Sequence, residues 1–413
     1  MKTEDTTAEG DFIRTPHCKA IWSRRRIEQA FKNVVTGNRL KRYICLSSLQ
    51  ALIVNRPRYN YQNLLEVINL RDLFSKRSIE SELRNPTENF NLETQEIEYR
   101  KELLTGRACR INVKRSERKK QAQTGMGYSE LIELSAKNCY FCPTNIKTAT
   151  PMFPSSLVPE GRIKLGETTI FPNLFPFAKY HAVATVSRQH FLGIDEFTLR
   201  QIKDTIKASL KYFHCVRSKD QKAVYPIFSW NFLPPAGASV IHPHVQLTVD
   251  EQPTNLAWLY LSACKKYYAK HKENYWMHLL EVEKEEGERF LGEIGGVSWI
   301  TSYVPLGNDE ICGVFHDVSS LYSLDDISIS DLSKGLKRVF TAYTLYGVHS
   351  FNLSTFSASS EDESFRLIVR IIARPYPQSY YNNDAGYMER LHEEVIVESM
   401  PEKVASDLKE YFG

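Results

Sequence analysis

The stretch that most constrains this chain is Ala236-Gly-Ala-Ser-Val-Ile-His-Pro-His-Val-Gln-Leu-Thr-Val249. After Pro243 the residues alternate, with His244, Gln246 and Thr248 set against Val245, Leu247 and Val249. That period of two predicts a half-buried strand carrying His244 and Gln246 on one face. A neutral imidazole in such a place can attack phosphorus, and an amide N–H can hold the ring or a phosphate oxygen. Just upstream, Gly237-Ala238-Ser239 offers backbone N–H groups and a hydroxyl able to cradle a phosphate. For H-x-H alone, two histidines satisfied by their surroundings are an equal alternative; the longer string G-A-S-x-x-H-P-H-x-Q favours chemistry.

A chain of 413 residues has room for two or three domains. With 42% hydrophobic and 25% charged residues it has the composition of a soluble globular protein, and a net charge of +4 is too weak to argue for nucleic-acid binding. Residues 1–10 are acidic and polar without the apolar core of a secretory signal, and no run approaches the length of a membrane span, so a cytoplasmic protein is expected. The eight cysteines are mostly isolated, which excludes a small disulfide scaffold.

Cys139 and Cys142 are the exception, forming a C-x-x-C turn at the spacing with which two thiolates meet one zinc ion. Four ligands are needed, and His190 and His242 are the candidates for the other two. A redox C-x-x-C is the rival, but no thioredoxin-like pattern surrounds it. Elsewhere, the spacing predicts helices over 254–271, 276–286 and 332–346. A further helix carries Leu199, Ile202, Ile206, Leu210 and Phe213, with Asp195 as its N-cap. Strands are predicted around 167–177, 180–187, 225–231, 297–304, 310–316, 350–355 and 365–373. From about Phe12 to Leu92 the pattern reads as helical and basic, and Thr105-Gly106 turns into a short strand followed by a basic segment.

The H-P-H-x-Q strand resembles the active-site strand of the galactose-1-phosphate uridylyltransferase family, in the histidine-triad superfamily, over roughly residues 100–409. The resemblance implies an α+β fold of tandem histidine-triad-like domains, antiparallel sheets with flanking helices. The expected division is a helical N-terminal extension (1–95), a zinc-containing nucleotide-binding half (96–252) and a second half ending in a sugar-side loop (253–413). It implies that His244 is the nucleophile, assisted by Gln246, and that Cys139, Cys142, His190 and His242 hold one structural zinc ion.

The same resemblance carries substrate-binding roles to single residues. Arg115 and Arg118 stand at the family's offset from Thr105-Gly106 and would face phosphates; Asn173 and Phe175 match an N-x-[FY]-P element at the nucleoside. Asn231 and Ser239 match positions near the phosphate, and Gly386-Tyr387 matches the sugar-side loop, with Met388 at the family's hexose-binding glutamate and Glu389 next to it. The H-x-H pair that gives some members a second metal is replaced by Phe365-Arg-Leu-Ile-Val-Arg370, so one metal is expected.

The implied activity is a UDP-glucose–hexose-1-phosphate uridylyltransferase-like transfer, through a covalent nucleotidyl-histidine, between a nucleotide sugar and a hexose 1-phosphate, in a homodimer serving galactose metabolism. Alternatives are a phosphorylase of a nucleotide sugar or dinucleoside polyphosphate that uses inorganic phosphate, and a non-catalytic zinc-containing binding protein. A hydrolase fits less well, because Gln246 stands where water-activating relatives carry a titratable third histidine.

Overall fold

A computed structural model describes residues 73–117, 128–376 and 383–412. In the first part of the chain lie β1 (Phe74–Asn85), β2 (Asn91–Glu102), β3 (Ala108–Ile111), α1 (Tyr128–Ala136), α2 (Ile146–Ala149), β4 (Ile163–Leu165), β5 (Thr168–Pro172), β6 (Tyr180–Thr185), α3 (Leu199–Lys219), β7 (Tyr225–Phe232) and β8 (His244–Asp250). Then come α4 (Asn255–His271), α5 (Tyr275–Glu286), β9 (Phe290–Ile294), β10 (Val297–Thr301), β11 (Ile311–Phe315), α6 (Asp326–Leu345), β12 (Ser350–Phe356), β13 (Ile368–Arg374), α7 (Tyr387–Leu391), β14 (Val395–Val397) and α8 (Pro401–Leu408).

Ten strands form one sheet in the order β4-β5-β6-β8-β7-β12-β13-β11-β10-β9. The order reads the same from both edges once each half is renumbered, so the sheet is a duplicated five-strand unit joined antiparallel at β7 and β12. Ser229 pairs with Ser354 across that joint, their hydroxyls 3.2 Å apart. The register repeats outward: Ser229 faces Gln246 as Ser354 faces Arg370, and Val183 faces Gln246 as Cys312 faces Arg370. Gln246 and Arg370 are therefore equivalent positions in the two halves.

One face of this sheet holds the main core. Val245, Leu247 and Val249 from β8, Trp230 and Phe232 from β7, Phe351 and Leu353 from β12, and Val369 and Ile371 from β13 pack against α3 and α6. At the joint, Phe197, Trp230, Phe232, Phe340 and Phe351 meet edge-on, tilted or stacked with centroids 4.9–6.2 Å apart. Since directly paired residues project to the same side, the alternate residues, His244 and Gln246 among them, lie on the opposite face. In the second half that face is covered by α4 and α5, whose Tyr260, Cys264, Trp276 and Leu280 pack on Ile300, Cys312 and Ile368.

The predicted helical extension is corrected wherever it can be compared. Residues 1–72 lie outside the described residues; from Phe74 the chain is a twelve-pair antiparallel hairpin, β1 with β2, in a second sheet of order β1-β2-β3-β14. The ring of Phe74 stacks on Tyr303 at 4.2 Å, anchoring the base of the hairpin. The N-cap of α3 is Thr198, not Asp195: the Thr198 hydroxyl accepts from Gln201 N and the Gln201 side chain returns to the Thr198 N–H, a reciprocal cap. No helix among the described residues is long and apolar enough to cross a membrane.

Candidate active site

β8 begins at His244, which is 6% exposed. Its Nδ1 lies 2.8 Å from the carbonyl oxygen of His242, an atom that only accepts, so the proton sits on Nδ1 and the lone pair on Nε2. Burial pushes the His244 imidazole below its ordinary pKa, the bond to His242 opposing it, so the ring is neutral near pH 7. A bare, neutral Nε2 is the form that can attack. Phe141, from within the C-x-x-C turn, sets its ring edgewise on His244 with centroids 5.2 Å apart.

On β8 Gln246 is half-buried, and its Oε1 lies 3.0 Å from Nε2 of His181 on β6. Next to His181 is Asn173, whose Oδ1 accepts from the backbone of Phe175 (2.9 Å) and so shapes the β5–β6 turn. Phe175 and Phe177 on that turn are exposed, and the Phe177 ring lies 4.2 Å from that of His181.

Before β8 the chain makes the turn that carries the phosphate-binding candidates. Leu233 and Gly237 both have positive φ, +73° and +88°, and bracket the short turn Pro234–Ala236. A side chain at 237 would find open space, so the need for glycine there is conformational. Ser239 lies exposed on this loop. Asn231, near the end of β7, pairs with Asn352 on β12, and its Oδ1 accepts from the Asn352 amide (2.7 Å), whose second N–H goes to the Ala236 carbonyl (2.8 Å).

At the start of β8, Cys139, Cys142, His190 and His242 bring one ligand atom each to within 4.8 Å of one another. Their donors are oriented for one ion. His242 Nε2 donates to the Ser187 carbonyl (2.9 Å), and His190 Nε2 donates to Ser135 Oγ (2.8 Å), whose own proton goes to Ile132. Both rings therefore turn a bare Nδ1 toward Cys142 Sγ, at 3.7 and 3.5 Å. Such separations are the edges of a tetrahedron with metal–sulfur and metal–nitrogen bonds of about 2.3 and 2.0 Å, so the set fits a metal ion. Without the positive charge of an ion, burial pushes His242 down to about 4 and the Cys142 thiol up to about 11, Cys139 adding to the latter. His242 thus joins the two sites: its ring faces the metal set and its carbonyl holds His244.

The remaining candidates gather elsewhere. A cavity of about 510 Å³ is lined by Arg115, Arg110, Arg374, Gly386, Tyr387, Met388 and Glu389, among others, but not by His244, Gln246 or Asn173. Arg374 closes β13, three strands from β8, or about 14 Å at ordinary strand spacing. The polar line Asn231–Asn352–Arg374–Asp384 connects the two places. Both oxygens of Glu389 are engaged by backbone, accepting from Gly386 N (2.7 Å) and Ile396 N (3.0 Å), so this carboxylate shapes its own loop. Arg118 lies outside the described residues. At the position of the missing H-x-H pair, Arg370 is buried and bonded to Glu310 and to the Tyr260 hydroxyl.

His181, Phe141 and Asn352 are the site-lining residues that motif reading missed. His181 and Asn352 are found only through strand register, whereas Phe141 could have been flagged from its place between the two cysteines.

No family model matches the chain. An uncharacterized protein of Archaeoglobus fulgidus is 29% identical over 288 residues, covering 69% of this chain and 85% of that one. Among solved structures, an ADP-glucose phosphorylase from Arabidopsis thaliana, with bound ADP-glucose, superposes with a TM-score of 0.59 at 18% identity, over 76% of this chain and 99% of the other. A uridylyltransferase superposes with a TM-score of 0.57 at 18% identity, over 76% and 98% of the two chains. The chain has the uridylyltransferase fold. A GalT-like protein from Arabidopsis thaliana agrees, with a TM-score of 0.55 at 18% identity over 66% of this chain and 92% of its own.

Proposed function

We propose that this protein is a nucleotidyltransferase that moves a nucleoside monophosphate from a nucleotide sugar, UDP-glucose in the first instance, to a hexose 1-phosphate. The observation that carries this reading is the His244 tautomer: Nδ1 is tied to the His242 carbonyl, which leaves the lone pair on Nε2, on the sheet face that also carries Gln246. Nε2 attacks the α-phosphorus of the donor, the Nε2–P bond forms as the bond to the bridging oxygen breaks, and the sugar 1-phosphate departs with that electron pair. The acceptor's phosphate oxygen then attacks the same phosphorus and displaces His244. Displacement at phosphorus depends mostly on positioning and charge stabilisation, and the Gln246 amide and Ser239 are the donors proposed for the non-bridging oxygens, whereas the expected backbone cradle is corrected, because the N–H groups of Gly237 and Ala238 are given to the Pro234 (2.8 Å) and Leu233 (3.2 Å) carbonyls.

Cys139, Cys142, His190 and His242 would hold one zinc ion. With all four places filled by protein, the ion supplies rigidity and orientation rather than an open coordination position. Arg115 and Tyr387 would serve the sugar phosphate from the separate cavity, an arrangement that suits a homodimer in which that cavity faces the partner's nucleophile.

A second reading, inorganic phosphate as the acceptor, has one observation in its favour: Met388 stands where the family's hexose-binding glutamate is expected, and the adjacent Glu389 is tied to its own loop by the Gly386 and Ile396 N–H groups. Isotope exchange tests the proposal. Labelled glucose 1-phosphate should enter UDP-glucose in the absence of any other acceptor, because the covalent intermediate is reversible; no exchange with any nucleotide sugar contradicts the covalent route. A chase with galactose 1-phosphate against inorganic phosphate then separates the two acceptors.

A further inference from the structure

A glutamine beside a reactive phosphate works only if its NH2 group, and not its oxygen, faces the phosphate. We propose that His181 is a positioning residue for the transfer: it holds the Gln246 oxygen and so turns the amide NH2 toward the phosphate at His244. The proposal rests on the reading of His244 as the nucleophile.

Register and tautomer carry the argument. His181 pairs with Thr248 and is thus the diagonal neighbour of Gln246 on the same face of the sheet. The backbone N–H of Phe177 points at His181 Nδ1 (3.4 Å). A backbone amide cannot reverse its polarity, so Nδ1 is the acceptor and the ring proton sits on Nε2. From there it meets Gln246 Oε1 at 3.0 Å. The Asn173 amide nitrogen stands 3.2 Å from the same ring atom, but Asn173 Oδ1 is committed to Phe175 N–H, which leaves Gln246 as the acceptor of the ring proton. With its oxygen engaged, Gln246 keeps both N–H donors for a ligand. His181 is only 4% exposed and is covered by the Phe177 ring, so its orientation is fixed by packing.

The second half of the sheet supplies an independent comparison. By register Arg370 is the equivalent of Gln246, and Glu310, two residues before Cys312, is the equivalent of His181, two before Val183. There the pair is a buried salt bridge, in a half whose β13 carries no histidine. The ion pair consumes donors; the neutral imidazole–amide pair leaves them facing outward. Only the half with the nucleophile keeps the neutral pair.

The test compares wild type, His181→Ala, His181→Gln, Gln246→Ala and the double variant His181→Ala/Gln246→Ala. It reads the rate at which UDP-glucose nucleotidylates His244, and the side-chain amide NMR signal of Gln246, assigned by its loss in Gln246→Ala. His181→Ala should slow labelling by about 10–100-fold, the usual effect of losing a residue that orients a reacting group. His181→Gln, which offers an N–H at similar reach, should recover most of that. The double variant should be no slower than Gln246→Ala alone, since His181 acts only through the amide. The Gln246 signal should shift in His181→Ala and return in His181→Gln. Equal losses in His181→Ala and His181→Gln, an unchanged rate in His181→Ala, or full additivity in the double variant overturns the proposal. If wild type is labelled by no donor, the transfer reading fails by itself, and the NMR signal decides alone: a Gln246 amide unmoved by His181→Ala overturns the positioning role.

Discussion

His244 and Gln246 sit two apart on one strand, yet they were legible in the sequence to different depths. The alternation after Pro243 placed both on one face, and that is how β8 is built. What the alternation could not convey is which nitrogen of His244 is bare, because that depends on a carbonyl two residues back. Nor could it show His181, whose relation to Gln246 exists only once β6 and β8 are in register. Replacing Gln246 by alanine should slow nucleotidylation of His244 by about 10²–10³-fold, the range for one lost charge-stabilising donor, while leaving the melting temperature nearly unchanged. Stopped reactions analysed by mass would read the first and thermal unfolding the second. At this scale the fold also has a pH signature away from the site. Burial raises the carboxyl of Glu283 to about 7, against the pull of Arg289 at 3.0 Å, and its Oε2 has no hydrogen-bond partner among the described residues. A raised folded-state pKa means the proton is bound more tightly in the folded protein, so the stability it contributes is fully present below about pH 4.5 and is lost as pH rises toward 7. Between pH 4.5 and 7.5 the urea midpoint of wild type relative to that of Glu283→Gln should fall with pH, the contribution of the lowered histidines being common to both; a constant difference between the two would contradict the assignment.

Among the elements, α4 and α5, the body of α3 and most of the strands of the sheet lie close to where periodicity puts them, whereas β4 and β9 were not predicted, α3 is capped by Thr198 and α6 starts at Asp326, ahead of the predicted start at 332, behind its cap Asp325. The N-terminal hairpin does not. β1 is rich in Lys, Arg, Glu and Ser, which are tolerant of helix, and its apolar Phe74, Ile79 and Leu83 are spaced five and four apart, so nothing local declares a strand. Pairing decides instead: Ile79 meets Ile97, and the positive-φ residues Asn89 and Phe90 make the reversal. The metal-ligand set was legible because the C-x-x-C spacing is short and fixed, though its closure required His190 and His242 to arrive from different strand ends. With the proposed ion held by this cluster, chelation should lower the melting temperature by roughly 5–10 °C, equivalent to a few kcal/mol, and should also slow His244 labelling, because the turn that carries Phe141 would lose its anchor. Calorimetry with metal analysis on the same sample would check both. On β13, Arg370→Leu should destabilise the protein by about 3–5 kcal/mol by leaving Glu310 buried and unpaired, and adding Glu310→Leu should restore much of the loss. Urea denaturation of the two variants measures it.

Across the whole molecule, duplication gives the two halves of one sheet equivalent positions whose surroundings differ. The halves share a ten-stranded sheet and a core built on α3 and α6, but α4 and α5 cover the second half's outer face, where Arg370 and Glu310 replace Gln246 and His181. Short-range patterns predicted the strand and helix content of each half; the exchange of a neutral pair for an ion pair between them is a property of the paired sheet. The expected substrate residues likewise divide between the surroundings of β8 and a cavity three strands away, a separation invisible in a linear list of matches. The central claim is that His244 becomes covalently nucleotidylated. The measurement that tests it most directly is the intact mass of the protein after incubation with UDP-glucose and a panel of other nucleotide sugars, wild type against His244→Gly, with fragmentation to locate the adduct. The account predicts a gain of one nucleoside monophosphate in wild type, located on His244 and absent from the variant. An adduct on another residue, or none with any donor while the metal remains bound, would contradict it.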